Sequence, residues 1–344
     1  ELKAMMPRFT AKQFPNAHYA HMVRGNELIP RRYYSFEYSP LDITLEEAMS
    51  RARNLLIRAV ERRIRNTERP FGVLLSGGVD SSLVTGIANA HIKLQSKDSQ
   101  LHTFSIGVDV NAPDIKAARI VAKHVNSIHH EYIETEESML EEIPQTVYYG
   151  ETWDITTIRA MAMMLRLCRR IRNDPMTSHI TVLLSGEGAD EAGGSYLYFH
   201  RAPSPEAFDA ERVRLLDDLK HFDNQRADRA TAAFGFELRL PFLDKEFIDF
   251  YMRIPTTVML PHDGIEKWFI RKTFDYGLIP KEILWRRKEA FSDGVSTTER
   301  SWYAIIQERC VDVEPVEVEW CPPQTSEAHY YRRLYLDFYP DHDQ

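Results

Sequence analysis

The chain has 344 residues, 43% apolar and 27% charged, with a formal charge of −8 at pH 7. That length accommodates a large core with a smaller appended part, and the composition is that of an ordinary globular protein. The acidic balance without a long basic block argues against a broad nucleic-acid surface, and no apolar run approaches the roughly 18 residues of a membrane-spanning helix.

Residues 1–40 carry scattered aromatics and prolines without a helix or strand period, and read as a linker. Thr44 and Glu47 form a capping-box pattern ahead of an apolar stripe through Ala48, Ala52, Leu56, Ala59 and Val60, which predicts a helix to about Arg65. FGVLL (71–75) reads as a buried strand, followed by a helix from the serines after Asp80. LHTFSIGV (101–108) is the next strand. Pro113 opens a helix to about Val125, where its missing N–H costs nothing. HHEYI is a short strand, 136–149 and 157–172 are helical, and ITVLL (180–184) is another buried strand. Strands separated by helices imply a parallel sheet with crossovers, which binds ligands beyond its carboxyl edge. Past residue 200 the strand pattern fades, and 206–220, 223–234, 244–252 and 265–275 read as helices. Residues 311–325 are acidic and proline-broken, a loop, and EAHYYRRLYLDFY after them is a short aromatic helix.

Two stretches stand out. VLLSGGVDSS (73–82) and VLLSGEGADE (182–191) each run from an apolar strand into glycines and an aspartate. The first offers backbone N–H groups where a helix begins, with Ser76, Gly77 and Gly78 in the turn and Ser81 and Ser82 adding hydroxyls. Such a turn suits a phosphate or pyrophosphate. Asp80 repels a bare anion, so its presence points to a magnesium ion between carboxylate and phosphate. Asp190 follows its strand much as Asp80 does, and two adjacent strands would bring both to one metal. Glu187 lies nearer the strand end and would face substrate. The pattern GxxxxGK[ST] is absent, so cleavage between the α and β phosphorus fits better than transfer of the terminal phosphoryl group. One glycine-rich turn is often only a turn; two with matched aspartates favour a site.

Other clusters are weaker. WRRKEAFSDG (285–294) could neutralise phosphates through Lys288, although an isolated RRK is more often solvated surface. Asp223 and Arg226 are three apart on a helix, the spacing of a surface ion pair. The histidines have no ligand-like spacing, and the cysteines no CxxC set, so no structural zinc is expected. Cys310 and Cys321 could pair, but three cysteines favour a reducing, cytoplasmic setting. MAMMLRL (161–167) reads as helix core.

GVLLSGGVDSS resembles the pyrophosphate loop of N-type ATP pyrophosphatases. Taken with PDIKAA, HHE, ETWDITTIRA, LLSGEGADE, YLYFHRAP, RLPFLDKEF and RRKEAFSDGV, the chain resembles the synthetase domain of glutamine-dependent asparagine synthetases over roughly residues 40–300. PPQTSEAHYYRRLYLDFYP resembles the ending of longer members. The resemblance implies an α/β, Rossmann-like parallel-sheet ATP pyrophosphatase domain with additional C-terminal helices. It divides the chain into a linker (1–40), the synthetase domain (41–300) and a C-terminal extension (301–344). It implies ATP and Mg2+ as cofactors, L-aspartate and ammonia as substrates, and an upstream glutaminase domain in the same chain or supplied in trans. A homodimer is also expected, and neither nucleic acid nor membrane as partner.

By the same resemblance Ser76, Gly77, Gly78, Asp80, Ser81 and Ser82 form the pyrophosphate loop. Leu74, Ile106, Ser185 and Gly186 contact the nucleotide, and Asp80 and Asp190 hold magnesium. Glu187 is the base or ammonia-orienting group, and Lys288 stabilises charge on the phosphates and the intermediate. Asp223 is a further active-site acid, with Arg226 positioning substrate or pyrophosphate. Two departures stand. The cysteine-led glutaminase domain is not within this sequence, and ADEAGGSYLYF has Gly193 where a bulky residue is usual and Ser195 where a glycine is usual. The competing expectations are a β-lactam synthetase-like ligase and a non-catalytic nucleotide-binding scaffold.

Overall fold

The computed structural model describes residues 14–24, 27–35, 39–288 and 300–340. After a two-residue antiparallel pair, β1 (His18–Tyr19) and β2 (Arg31–Arg32), the chain enters α1 (Leu45–Arg65). The Thr44 hydroxyl accepts from the Glu47 N–H while the Glu47 carboxylate accepts from the Thr44 N–H, so both sides of the capping box form. The predicted stripe on α1 is buried as expected.

The sheet is built from β3 (Phe71–Leu74), β4 (His102–Gly107), β5 (Ile128–Ile133), β6 (Val182–Leu184) and β7 (Glu237–Arg239). Its order is β5-β4-β3-β6-β7 and every pairing is parallel. The helices α2 (Val79–Gln95) and α3 (Pro113–Val125) make the first two crossovers. From β3 the chain winds outward to β5, then returns to the other side of β3 and continues outward again. The reversal lies between β3 and β6, which opens a crevice above their carboxyl ends. Both faces of the sheet are covered. Val73 and Leu75 point into one core with α1, α2 and later helices, whereas Leu74, Phe104 and Leu183 point into a second core. That alternation explains the continuous apolar runs of β3 and β6.

Three differences from the sequence reading have local causes. The helix expected over 136–149 is two, α4 (Glu136–Leu140) and α5 (Ile143–Gly150), because Pro144 cannot continue an incoming turn and instead starts the next. α6 (Ile155–Asn173) follows, with the methionine run buried as helix core. A fifth strand, β7, lies where strands were expected to have faded; three residues of mixed charge give no periodic signal. The helix expected over 265–275 begins only at Trp268, since Gly264 and Lys267 both take left-handed backbone angles. The remaining α-helices among the described residues are α7 (Ala189–Gly193), α8 (Pro205–Asp218), α9 (Asp223–Ala232), α10 (Lys245–Tyr251), α11 (Thr256–Met259), α12 (Trp268–Thr273), α13 (Lys281–Leu284), α14 (Trp302–Arg309) and α15 (Ser326–Phe338). All three cysteines are unpaired, with Cys310 buried and Cys321 exposed.

Candidate active site

The turn after β3 packs directly on the turn after β6. A Cβ on Gly186 would fall 2.8 Å from the Ser81 nitrogen and 2.9 Å from the Asp80 carbonyl carbon, so only glycine permits this approach. Gly77 has the same role on the other side. Its φ is +77°, and a Cβ there would meet the backbone of α3 at Ala118 N, 2.5 Å away. Within the first turn, the Ser81 hydroxyl accepts from the Ser76 N–H at 3.2 Å and the Ser76 hydroxyl from the Gly78 N–H at 3.4 Å. The strand–turn–helix path is thus fixed by its own serines.

The contact of the two turns forms the floor of a cavity of about 360 Å3 at the carboxyl edge of the sheet. Leu74, Ser76, Gly78, Asp80, Ser81 and Ile106 line it from the β3–β4 side. Ser185, Gly186, Glu187 and Asp190 line it from β6, with Asp223, Arg226 and Lys288 from beyond the sheet. Gly77 and Ser82 are not in the lining; Gly77 faces α3, and Ser82 is wholly buried in the first turn of α2. The segment after Lys288, including the SDG turn at 292–294, lies outside the described residues.

Charge in the cavity is dense and paired. The Lys288 ammonium lies 2.5 Å from Asp190 Oδ1 and 4.6 Å from the centre of the Tyr196 ring. Lys267, absent from the sequence reading, places its ammonium between the two carboxylates, bonded to Asp80 Oδ2 and 2.5 Å from Asp190 Oδ1. Burial pushes the Asp190 carboxyl up, but Lys267 and Lys288 together outweigh it and hold Asp190 well below the ordinary carboxylate range. Burial dominates at Asp80 and raises it despite Lys267. Asp80 Oδ1 is buried without a hydrogen-bond partner among the described residues.

On the other wall, Arg226 donates to Glu187 Oε2 at 3.0 Å and to Asp223 Oδ1 at 2.9 Å. The i, i+3 pair is therefore real, but Arg226 is buried and shared with Glu187 rather than lying on the surface. Burial raises the Glu187 carboxyl, with Arg226 opposing and Asp223 adding to the rise. Glu191 accepts from the Tyr196 hydroxyl at 2.5 Å, and burial together with Asp190 and Asp223 pushes its carboxyl up to about 8.

Several charged groups outside the two glycine-rich motifs complete the site. A buried Arg271–Glu266 pair, 2.5 Å apart, also bonds the carbonyls of Leu284 and Arg286, tying the segment that carries Lys267 to the one that carries Lys288. Arg286 in turn bonds Asp114 at 2.9 Å and the Gly77 carbonyl at 3.3 Å. None of these has a turn or spacing signature of its own, and EK before an apolar run reads as surface.

The family model for asparagine synthase matches residues 51–219 and 202–344. The chain belongs to the asparagine synthase family. Among curated relatives, the glutamine-hydrolysing asparagine synthetase of Gallus gallus is 43% identical over 88% of this chain and 54% of its own length. Those of Cricetulus griseus and Rattus norvegicus are 43% and 42% identical over 86% of this chain and 54% of theirs. The chain thus spans about half the length of the curated relatives it matches. Of solved structures, the NMN synthetase of Francisella tularensis is similar over 88% of this chain and 95% of its own, at 14% identity and a TM-score of 0.36, too slight a likeness to bear on the site. Against the asparagine synthase pattern, the departure at Ser195 falls inside the charge cluster: its buried hydroxyl donates to Asp190 and lies 3.4 Å from the Lys288 ammonium.

Proposed function

We propose that this chain is the ATP-consuming part of a ligase that converts L-aspartate to L-asparagine through β-aspartyl-AMP. Ammonia would come from glutamine through a glutaminase part, in the same chain or supplied in trans. The observation that carries the reading is the convergence of Asp80, Asp190, Glu187 and Lys288 on one cavity at the switch point, in a chain of this family. ATP would place its phosphates at Ser76, Gly78 and Ser81, with Gly77 and Ser82 shaping the turn from behind, and its adenosine against Leu74, Ile106, Ser185 and Gly186.

Asp80 and Asp190 would hold magnesium. The buried, unpartnered Asp80 Oδ1 and the sharing of one cation by both carboxylates suit that role. A bound Mg2+ would offset phosphate charge. The aspartate side-chain oxygen attacks the α phosphorus, the α–β P–O bond breaks, and pyrophosphate leaves. Lys288 lowers the repulsion between the anionic nucleophile and the anionic phosphate. Ammonia then bonds to the acyl carbon, and AMP leaves with the C–O electron pair. Glu187 takes the proton released from nitrogen; its raised affinity for protons makes it a stronger base than an exposed carboxylate. Arg226 keeps that carboxylate aimed, and the enclosed cavity protects the acyl-adenylate from water.

The test is incubation with aspartate, ATP, magnesium and ammonium chloride, following AMP and asparagine. Equal amounts of both are expected, and neither product would overturn the reading. Glu187→Gln should cut asparagine formation by about 100-fold or more, on the scale of a lost general base, with nucleotide binding little changed. Equal loss of both would remove Glu187 from its assigned role.

A further inference from the structure

Lys267 is almost completely buried, and its ammonium spans the gap between the two carboxylates proposed as metal ligands. Three features build it into that position. Its backbone is in the left-handed region, φ +56°, which a non-glycine residue adopts only when its surroundings compel it. The buried Arg271–Glu266 pair brackets it, and its own carbonyl accepts from the Arg271 N–H. Its methylene chain runs past Gly193, where an added Cβ would lie 3.4 Å from Lys267 Cγ. The residue that departs from the family's bulky one is thus the residue over which the lysine passes.

We propose that Lys267 is the resting counter-ion of the Asp80–Asp190 pair, and that it is exchanged for the metal when a metal–triphosphate binds, its ammonium then turning to the phosphates. The charge arithmetic favours the exchange. Two half-buried carboxylates held this close would repel without a cation, so the pair needs a positive group beside it. A divalent cation neutralises the two carboxylates and releases Lys267 as well as the Asp190 bond of Lys288, leaving two ammonium groups for the polyanion. A metal ion arriving alone must displace a buried ammonium with nothing to receive it. The consequence is that metal binds poorly without nucleotide. This rests on the proposed function for the identity of the nucleotide; the exchange itself concerns only the carboxylates and the lysine.

The test uses Mn2+ alone, titrated against the chain without nucleotide, with free Mn2+ followed by electron paramagnetic resonance. Wild type should bind weakly at the site. Lys267→Met should bind at least about tenfold more tightly, because the resident charge is gone, and Asp190→Asn added to it should abolish the gain. Lys267→Gln, which keeps a donor for the carboxylates, should shift in the same direction and serves if the Met variant does not fold. An unchanged Mn2+ affinity in a folded Lys267 variant overturns the proposal. So does tight Mn2+ binding by wild type alone that Asp190→Asn removes, a measurement that needs no Lys267 variant. In the asparagine assay, Lys267→Met should raise KM for ATP at least about tenfold. If wild type forms no asparagine while the Mn2+ result holds, the proposed function fails and the exchange stands.

Discussion

Glu191 and Asp190 are neighbours in sequence and opposites in charge state. Asp190 has two ammonium groups and is held ionised, whereas Glu191 has only a phenol and nearby acids, and is raised from 4.5 to about 8. At neutral pH Glu191 is therefore a protonated acid accepting from Tyr196 through one oxygen. A folded-state value above the unfolded one means that its contribution is most favourable below pH 4.5 and is lost as pH rises through about 8. Glu191→Gln, which keeps the acceptor and cannot ionise, should be more stable than wild type at pH 8.5, by on the order of a few kcal/mol, and close to it at pH 5. Urea denaturation at the two pH values checks this; a constant difference would mean that folding does not shift the titration of Glu191. The contrast also marks what sequence reading reaches at this scale. Asp80, Asp190 and Glu187 were legible because glycine-bearing turns announced them. Lys267, Glu266 and Arg271 were not, because their partners are 5 to 187 residues away and only the fold brings them together.

Between elements, the site depends on how closely two turns can approach. Gly186 and Gly78 both belong to those turns, yet they predict different outcomes. A Cβ at Gly186 meets backbone atoms of the other turn, which cannot swing aside. Gly186→Ala should cost about 1–3 kcal/mol as overpacking and separate Asp80 from Asp190, weakening ATP binding and Mn2+ binding together. Gly78 has φ −70°, and its nearest neighbour to an added Cβ is Ser76 Oγ at 3.5 Å. Gly78→Ala should leave the melting temperature within a few degrees of wild type, and any loss should be confined to phosphate binding. Similar melting losses for both would show that turn contact is not the determinant. Periodicity carried most of this level: α1, α3 and the central strands fall where the apolar pattern and caps put them. It failed at β7, whose three residues gain strand geometry only by pairing with β6, and at α12, where a tertiary lysine contact sets the boundary that propensity places earlier.

Across the whole molecule, the C-terminal helices bear on the cavity indirectly, through Arg159. Trp302 on α14 and Tyr331 on α15 are completely buried in the second core, against the methionine face of α6. Glu327 on α15 is also buried and grips Arg159 through both oxygens, at 2.8 Å and 2.5 Å, while Arg159 lines the cavity from α6. A tail that the family resemblance sets apart as an extension past residue 300 therefore supplies core volume and holds a cavity-lining residue in place. The reason it was not legible is that α15 carries its burial on Glu327, Tyr331 and Arg332, residue types whose pattern does not distinguish a core face from a surface. Trp302→Ala should cost about 3–5 kcal/mol, the range for removing a large aromatic from a packed core. Deletion of 301–344 should go further, leaving the second core open and the chain aggregated in size-exclusion chromatography. Glu327→Gln separates support from packing: it keeps the volume and one acceptor, so the fold should persist while Arg159 loses its paired charge and KM for a carboxylate or phosphate substrate changes. A truncated chain that stays monodisperse and unfolds with wild-type cooperativity would show that the tail is an accessory, and Arg159 would then need another anchor.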